Sequence, residues 1–419
     1  MNNKLKTFIT VFFIGAAYAV IYALPFVQYM FYDPLVESIG ATNAQLGFLI
    51  AIYGLGNIFG APVGGWLADK FNHKSIYLWS LVGNSILCFL FAFNLNYTFA
   101  IFIWIGLAVT SLFAYFPAHV KIVRLLGTTE EQGKLFGLAE AAGGVGSIII
   151  NSIALYLFSK AVSSVAGFKF VVLGYGMASL ILVVILFFLI DNPKKISSEE
   201  KELNSASKIT IKDFGIVLKN PGTWFTGIAI FAVYTLYVSL SYFTPYFTGV
   251  LGVSVAFAGA VAIVRTYLIR MVGAPLGGMI GDKLGSVSKA IMIGLVGAIA
   301  VVATIMYVPA GTSTNVLIAL TLLVSIFTYI GRANMFAVQS EVKIPEKYSA
   351  TAAGITCAIG FSPDLFQFTL FGNWLDKFGN NGYRYIFIYT IVVLVIGVVN
   401  SILAIRYKNS LTKSEMINK

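Results

Sequence analysis

Five ionisable side chains interrupt segments of the chain that are otherwise apolar. They are two carboxylates and three guanidinium groups: Glu140, Arg265, Arg270, Arg332 and Asp364. A charge at the middle of a helix in hydrocarbon costs roughly 2.5 to 3.5 kcal/mol on insertion scales, so each must face a wet cavity or a partner. At a rise of about 1.5 Å per residue, Glu140, Arg265 and Asp364 fall near the middle of their segments. We therefore expect a binding site at this depth.

The arginines suit recognition of an anion. Arg265 and Arg332 can form paired hydrogen bonds with a carboxylate, phosphate or sulfonate. The alternative is that they only pair with Asp364 and Glu140 and hold helices together. Arg270 follows Arg265 at about 140° around a helix, so both cannot face one cavity. We expect Arg270 to be the structural one.

The two carboxylates are candidates for carrying a proton. A buried carboxylate without a partner takes up a proton more readily than an exposed one, which points to Asp364 and Glu140. The alternative is a permanent ion pair that does not titrate.

Tyrosines and amides at a similar depth are weaker candidates for contacts with a polar or sugar-like ligand. Each tyrosine offers a flat face and a hydroxyl, but with 22 tyrosines in the chain any single one is more often a packing residue. His119, Lys121 and Arg124 end their segment where positive charge is expected anyway. The candidates are Tyr18, Tyr22, Tyr53, Asn57, Tyr115, Tyr234, Tyr237, Tyr329 and Gln367.

Other chemistries find no support in the sequence. Cys88 and Cys357 both fall in apolar segments, which predicts neither a disulfide framework nor a metal site. No nucleophile with a base, metal-ligand cluster or phosphate-binding loop is present, so we expect neither an enzyme nor a cofactor. In a soluble domain, the net charge of +11 would suggest binding to nucleic acid. In a membrane protein, an excess of lysine and arginine on the cytoplasmic side explains the same charge without nucleic acid.

Composition indicates the class of protein that must position these residues. Of the 419 residues, 58% are hydrophobic and 11% charged, with a mean hydropathy of +0.86, whereas soluble proteins carry about 25% charged residues. The sequence predicts an all-α membrane protein with spans of about 20 residues. Twelve segments, numbered 1 to 12, are predicted: 8–32, 43–68, 75–96, 98–124, 131–158, 168–190, 221–249, 253–281, 288–309, 314–340, 348–375 and 383–407.

The distribution of lysine and arginine predicts the orientation. Most of these residues lie on the side that holds both termini, which should therefore be cytoplasmic. The stretch 191–220 is the one long polar stretch and reads as a cytoplasmic linker between two halves, 1–190 and 221–419. Within it, 209–218 has the spacing of a short amphipathic helix on the membrane surface.

One motif occurs twice, about half the chain apart. Gly64-Gly65 with Asp69-Lys70 ends segment 2, and Gly277-Gly278 with Asp282-Lys283 ends segment 8. Small residues let a helix pack closely on a neighbour, and doubling is typical of carriers built from two similar bundles. The doubled motif resembles the loop signature of the major facilitator superfamily (MFS), and the resemblance covers the whole chain.

The resemblance implies a fold and a mechanism. Its fold has two pseudo-symmetric six-helix bundles, works by rocker-switch alternating access, and is monomeric in most relatives. In that fold Asp69 would lie near the start of segment 11 and Asp282 near the start of segment 5, where the positive end of a helix favours a carboxylate. With Lys70 and Lys283, these two latches would set the balance between inward-facing and outward-facing states.

Three short stretches of sequence indicate a more specific class of transporter. The stretches 131–140, 265–270 and 362–364 resemble a bacterial branch loosely akin to organic-anion and sugar-acid porters, although this chain lacks the arginine that tends to follow Glu140 in that branch. We expect a secondary transporter of a small organic anion in the cytoplasmic membrane, with proton coupling as a further expectation. An exporter of amphipathic compounds and a transporter-like solute sensor are the alternatives.

Overall fold

All regular structure in the described residues is helical, which confirms the all-α prediction. The computed structural model describes residues 3–127, 132–191, 211–308, 312–345 and 348–417. By length and hydropathy, nine helical stretches among these residues can cross a membrane, or ten if a pair bent by 115° is one span. The last stretch, Thr351–Leu411, runs through segments 11 and 12. Twelve spans and cytoplasmic termini stay predictions.

The helices of the first half follow the predicted segments, with one interruption in each of segments 1 and 4. Segment 1 is two helices, because Pro25 lies in a run of turns at 22–27 and has no N–H to donate. Segment 4 contains a π-helical turn. The bounds are Asn3–Ile21 and Gln28–Ile39 (segment 1), Asn43–Lys70, His73–Phe93, Tyr97–Ala108 with the π turn Val109–Tyr115 and Phe116–Leu125 (segment 4), Gln132–Ser159, and Ser164–Leu189.

In the second half, segments 7, 8, 10 and 11 are interrupted, and a short helix, Ile211–Lys219, lies near the predicted amphipathic stretch. Segment 11, predicted as one helix, is two: the backbone leaves helical geometry at Phe361 (φ −95°, ψ 3°), and Pro363, which has no N–H to donate, lies at the start of the second helix. Segment 7 comprises Pro221–Ser239, Leu240–Tyr242 and Phe243–Gly249, and segment 8 comprises Val255–Ile263, the π turn Val264–Leu268 and Ile269–Leu284. Segment 9 is Val287–Tyr307, and segment 10 comprises Thr314–Asn334 and Val338–Glu341. Segment 11 comprises Ser349–Gly360 and Pro363–Phe378, and segment 12 is Gly382–Ile417.

The chain forms two compact units. Unit 1 comprises Met1–Lys201 with Gly252–Ile263, and unit 2 comprises Glu202–Leu251 with Val264–Lys419. Segment 8 therefore changes units at its π turn. The division expected from the sequence, into 1–190, 191–220 and 221–419, stays a prediction.

Glycines bring helices of unit 2 into backbone contact. A Cβ atom on Gly277 would lie 2.8 Å from the Cα of Ile330, whereas one on Gly278 would meet nothing within 4 Å. Segment 8 therefore packs on segment 10 through one face of the second motif copy. In the first copy, the side chains at 61–70 lie outside the described residues.

A buried carboxylate joins the ends of four segments in unit 2. Glu341 Oε2 accepts hydrogen bonds from the backbone N–H and the hydroxyl of Ser288, at 2.8 and 2.6 Å. Its Oε1 pairs with Lys408 Nζ at 3.1 Å, and that ammonium also donates to the carbonyl of Gly285 at 3.1 Å. Burial raises the pKa of Glu341, but hydrogen bonds from Ser286, Ser288 and Lys408 outweigh it, so the pKa lies below its ordinary value.

Alanine substitutions at Gly277 and Gly278 should have different effects on stability. Gly277→Ala forces a backbone shift against Ile330, and overpacking of this kind costs about 1 to 3 kcal/mol, so the melting temperature in detergent should fall. Gly278→Ala gains the same helix propensity without a clash, so the melting temperature should be unchanged or raised. Equal melting temperatures for the two variants would contradict close packing at Gly277.

Glu341→Gln should destabilise the protein in a pH-dependent way. Because the pKa of Glu341 is lowered by folding, its contribution is present at neutral pH and is lost as the pH falls through the folded-state pKa. The loss in free energy of unfolding at pH 7 should be about 1.5 to 3 kcal/mol, as for hydrogen bonds to a charged group. Thermal unfolding of the wild type and Glu341→Gln at several pH values measures this loss, and Glu37→Gln, which changes an exposed glutamate, is the control. A stability difference between wild type and Glu341→Gln that does not change with pH would contradict a lowered pKa at Glu341.

Candidate functional site

Asp364 and Tyr234 form the centre of the site in unit 2. Tyr234 Oη donates to Asp364 Oδ2 at 2.9 Å, and Asp364 is only 2% exposed. Asp364 lies in the first turn of the helix that follows the break in segment 11, where backbone N–H groups favour a negative charge. The break thus places a carboxylate inside the bundle with one hydroxyl partner and a favourable helix end.

Arg332 lies beside this pair. Its guanidinium is 3.9 Å from the ring centre of Tyr237 and 5.9 Å from that of Tyr234, and its charge acts on Asp364. Nη1 is buried, and no group in the described ranges accepts a hydrogen bond from it. A guanidinium held by a ring face keeps its N–H edge for a planar anion.

Gln367 lies one turn beyond Asp364, fully buried inside unit 2. Its Nε2 donates to the carbonyl of Thr235 and to Ser239 Oγ, both at 3.1 Å. Its Oε1 accepts no hydrogen bond from the described part of the chain. The structure therefore brings Gln367, Tyr237 and Arg332 to the neighbourhood of Asp364, as a shared site requires.

Arg265 belongs to a different set of contacts. It is 0% exposed, donates from Nη2 to Thr244 Oγ1 at 2.8 Å, and lies 5.8 Å from the ring of Phe243. Its π turn leaves a carbonyl available to side chains, and Tyr329 Oη donates to the carbonyl of Thr266 at 2.6 Å. Arg265 and Arg332 contact different residues, so their joint role in anion binding stays a prediction. The structural role expected of the half-buried Arg270 also stays a prediction.

Unit 1 contains the other predicted tyrosines. Tyr22 packs on Tyr18 with ring centres 4.8 Å apart and on Tyr115 at 6.4 Å, and it interacts electrostatically with the exposed Glu140. Tyr53 Oη shares a hydrogen bond of 2.7 Å with Ser111 Oγ, in the π turn of segment 4. The side chain of Asn57 lies outside the described residues.

Two further residues belong to this aromatic cluster: Tyr77, which the sequence did not single out, and His119, which was explained there only by its place near the basic end of segment 4. Tyr77 stacks on Tyr115 with ring centres 4.6 Å apart, and His119 stacks on Tyr115 at 5.5 Å. His119 is 7% exposed, so it is a buried part of the cluster as well as a residue near the end of segment 4. The spacing of Tyr115 and His119, one helical turn apart, was the available signal.

The latch residues are described only in part. Asp282 and Lys283 are exposed at the end of Ile269–Leu284. The side chains of Asp69 and Lys70 lie outside the described residues, as do residues 128–131 and 346–347 near the helix starts expected to meet the latches. Both latches stay predictions. Within the described ranges, no group of three or more His, Cys, Asp or Glu residues is placed to hold a metal ion.

Comparison with known proteins gives the family. The model of the Major Facilitator Superfamily matches residues 7–366. The inner membrane protein YihN of Escherichia coli (strain K12) is 30% identical over 401 residues, covering 95% of this chain and 94% of that protein. The "Probable galactarate/D-glucarate transporter GudP" of Bacillus subtilis (strain 168) is 24% identical over 279 residues, covering 60% of this chain and 59% of that protein.

A solved structure shares the fold. A bacterial homologue of the human lysosomal transporter Spinster, in an inward-facing and unoccupied conformation, superposes with a TM-score of 0.70 at 17% identity, covering 97% of each chain. The family match spans most of the sequence, and the related E. coli protein spans nearly all of it. The chain therefore belongs to the major facilitator superfamily, and it is a multi-pass membrane transporter of small-molecule solutes rather than an enzyme.

Proposed function

We propose that this transporter carries a small organic anion, with Arg332 as the residue that binds the anionic group. The observation that carries the proposal is the buried Nη1 of Arg332, which has no hydrogen-bond acceptor among the described residues. Leaving a buried donor unsatisfied costs about 1 to 3 kcal/mol, and more when the group is charged. A carboxylate of the solute would supply the missing acceptor.

The surroundings of Arg332 favour an acid with polar substituents. The faces and hydroxyls of tyrosines suit a sugar-like body, and Tyr237 and Tyr234 both lie beside the guanidinium. GudP, a partial relative, is named for two sugar acids. Both points support a sugar acid or a similar hydroxylated acid as the solute class.

Asp364 is the residue we propose for coupling transport to protons, with Glu140 as the second candidate. In its ionised form Asp364 attracts Arg332, so an anion bound to Arg332 weakens that attraction and favours a proton on the carboxylate. Each ligand thereby promotes binding of the other, as symport requires. One proton carried with a monoanion moves no net charge, so the pH gradient drives this symport, and each pH unit, about 1.4 kcal/mol, gives about tenfold accumulation.

Uptake into proteoliposomes tests the transported class. The panel contains D-glucarate, D-galactarate, an organophosphate, a neutral amino acid and a simple dicarboxylate, each with and without an inward proton gradient. We expect accumulation of one or more acids that increases with the gradient. Saturable binding without flux would instead favour the solute sensor, and transport of an amphipathic compound tested beside the panel, with no panel member transported, would favour the exporter.

Arg332→Lys should raise the KM for the acid about 10- to 100-fold, because lysine keeps the charge but loses the paired N–H geometry. The matched control is Arg384→Lys, which changes an exposed arginine at the start of segment 12. Initial uptake rates over a range of concentrations give the KM. An unchanged KM in Arg332→Lys would contradict anion binding at this residue.

Asp364→Asn should abolish uptake driven by a proton gradient while leaving exchange of the acid across the membrane, because an amide cannot carry the proton. The comparison is Glu140→Gln measured in the same two assays. Loss of gradient-driven uptake in Glu140→Gln but not in Asp364→Asn would move the coupling role to segment 5.

A further inference from the structure

Two buried polar atoms in unit 2 lack hydrogen-bond partners among the described residues. They are Gln367 Oε1 and Thr235 Oγ1. Both side chains are 0% exposed. A buried polar atom without a partner destabilises a fold, and proteins commonly satisfy such atoms with a buried water. The two atoms therefore indicate a bound polar group inside unit 2.

The orientation of the Gln367 amide is fixed by its other hydrogen bonds. Its Nε2 donates to the carbonyl of Thr235 and to Ser239 Oγ, both at 3.1 Å. A backbone carbonyl only accepts hydrogen bonds, so the amide nitrogen and not the oxygen must face Thr235. Oε1 therefore points away from that carbonyl and requires a donor.

The Thr235 hydroxyl does not use the partner that is usual inside a helix. Serine and threonine in helices can donate to the carbonyl four residues earlier. Thr226, in the same segment, does so at 2.8 Å, and Ser239 does so to the carbonyl of Thr235 itself, also at 2.8 Å. Thr235 Oγ1 makes no such bond. Its hydroxyl is therefore available as a donor near the Gln367 amide.

A carboxylate lies next to these two atoms. Asp364 precedes Gln367 by three residues in the helix Pro363–Phe378, and side chains at this spacing are neighbours on a helix surface. Tyr234, which donates to Asp364 at 2.9 Å, directly precedes Thr235 in the chain. Segments 7 and 11 therefore bring an amide oxygen, a hydroxyl and a carboxylate together within unit 2.

We propose that a water molecule binds to these three groups and transfers the proton to Asp364. A water that donates to Gln367 Oε1 and to the carboxylate, and accepts from Thr235 Oγ1, makes the three hydrogen bonds typical of buried water. A cation at this place would instead be repelled by the charge of Arg332, which acts on Asp364. The inference rests on the proposed coupling role of Asp364 and names the group that delivers its proton.

The transfer is a relay that leaves the water chemically unchanged. The bound water accepts a proton from a hydronium ion and passes one of its own protons to the carboxylate, which becomes a neutral carboxylic acid. Tyr234 and Arg332 also face Asp364. Neither replaces the water in this role, because a phenol and a guanidinium ordinarily keep their protons at neutral pH.

Infrared difference spectra of the purified transporter, recorded before and after a drop in pH, test the site without any solute. The O–H stretch of a bound water shifts in water that carries the heavy oxygen isotope. The C=O stretch of a new carboxylic acid follows protonation of Asp364, and Asp364→Asn identifies this band by removing it.

Three substitutions probe the hydroxyl. Thr235→Val removes it at nearly constant volume, and Thr235→Ser keeps it. Thr226→Val is the matched control, because it removes a hydroxyl in the same segment that is 1% exposed but bonded within its own helix.

We expect the isotope-sensitive band in the wild type and in Thr235→Ser but not in Thr235→Val. In Thr235→Val the carboxylic-acid band should appear about five- to tenfold more slowly, the effect of losing one neutral hydrogen bond. Uptake of D-glucarate driven by a proton gradient should slow by a similar factor. Exchange of D-glucarate at equal pH on both sides needs no net proton transfer and should be unchanged. Thr226→Val should match the wild type throughout.

Three results would overturn the water site. An infrared spectrum of Thr235→Val identical to that of the wild type would show that no water depends on this hydroxyl. Sodium-dependent uptake that Thr235→Val abolishes would show a cation bound to these oxygens. Equal effects of Thr226→Val and Thr235→Val would show a general packing effect. If the bands behave as expected but no acid of the panel is transported, the proposed solute class fails and the water site stands.

Discussion

Ionised groups in the apolar interior of a helical bundle must find partners, and aromatic side chains supply several of them here. The Tyr234 hydroxyl donates a hydrogen bond to the Asp364 carboxylate, and the Arg332 guanidinium packs on the face of the Tyr237 ring. Arg265 uses the ring of Phe243 together with the hydroxyl of Thr244. Aromatic rings stabilise a cation without neutralising its charge, as the proposed binding of an anion requires.

Departures from regular helix accompany these contacts. Asp364 follows a break in segment 11, Arg265 lies in a π turn, and Ser111, the partner of Tyr53, lies in another. Interrupted helices give up backbone hydrogen bonds, which membrane proteins tolerate where side chains replace them. Tyr329 does so by donating to the carbonyl of Thr266. The polar cluster and the irregular backbone therefore depend on each other.

Much of this could be predicted from the sequence. Hydropathy gave the helical class and the approximate segments, the doubled motif gave the family, and the cost of a buried charge singled out Arg332 and Asp364. The contacts of each charged side chain could not be predicted. They depend on how far each helix is rotated about its own axis, and a segment that is apolar on all sides does not indicate this rotation. Arg265 thus has a hydroxyl partner that no spacing indicated. His119 was set aside because its position near a basic helix end already explained its presence.

The π turn in segment 8 has a consequence for comparing related chains. Such a turn accommodates one residue more than an α-helix of the same length, and each residue turns the helix by about 100°. A relative with a regular helix at this point should align with a gap of one position within Val264–Leu268. A residue paired with Arg265 by an alignment without that gap would point to another side of the helix, so an arginine can be shared in sequence between two chains without sharing its surroundings.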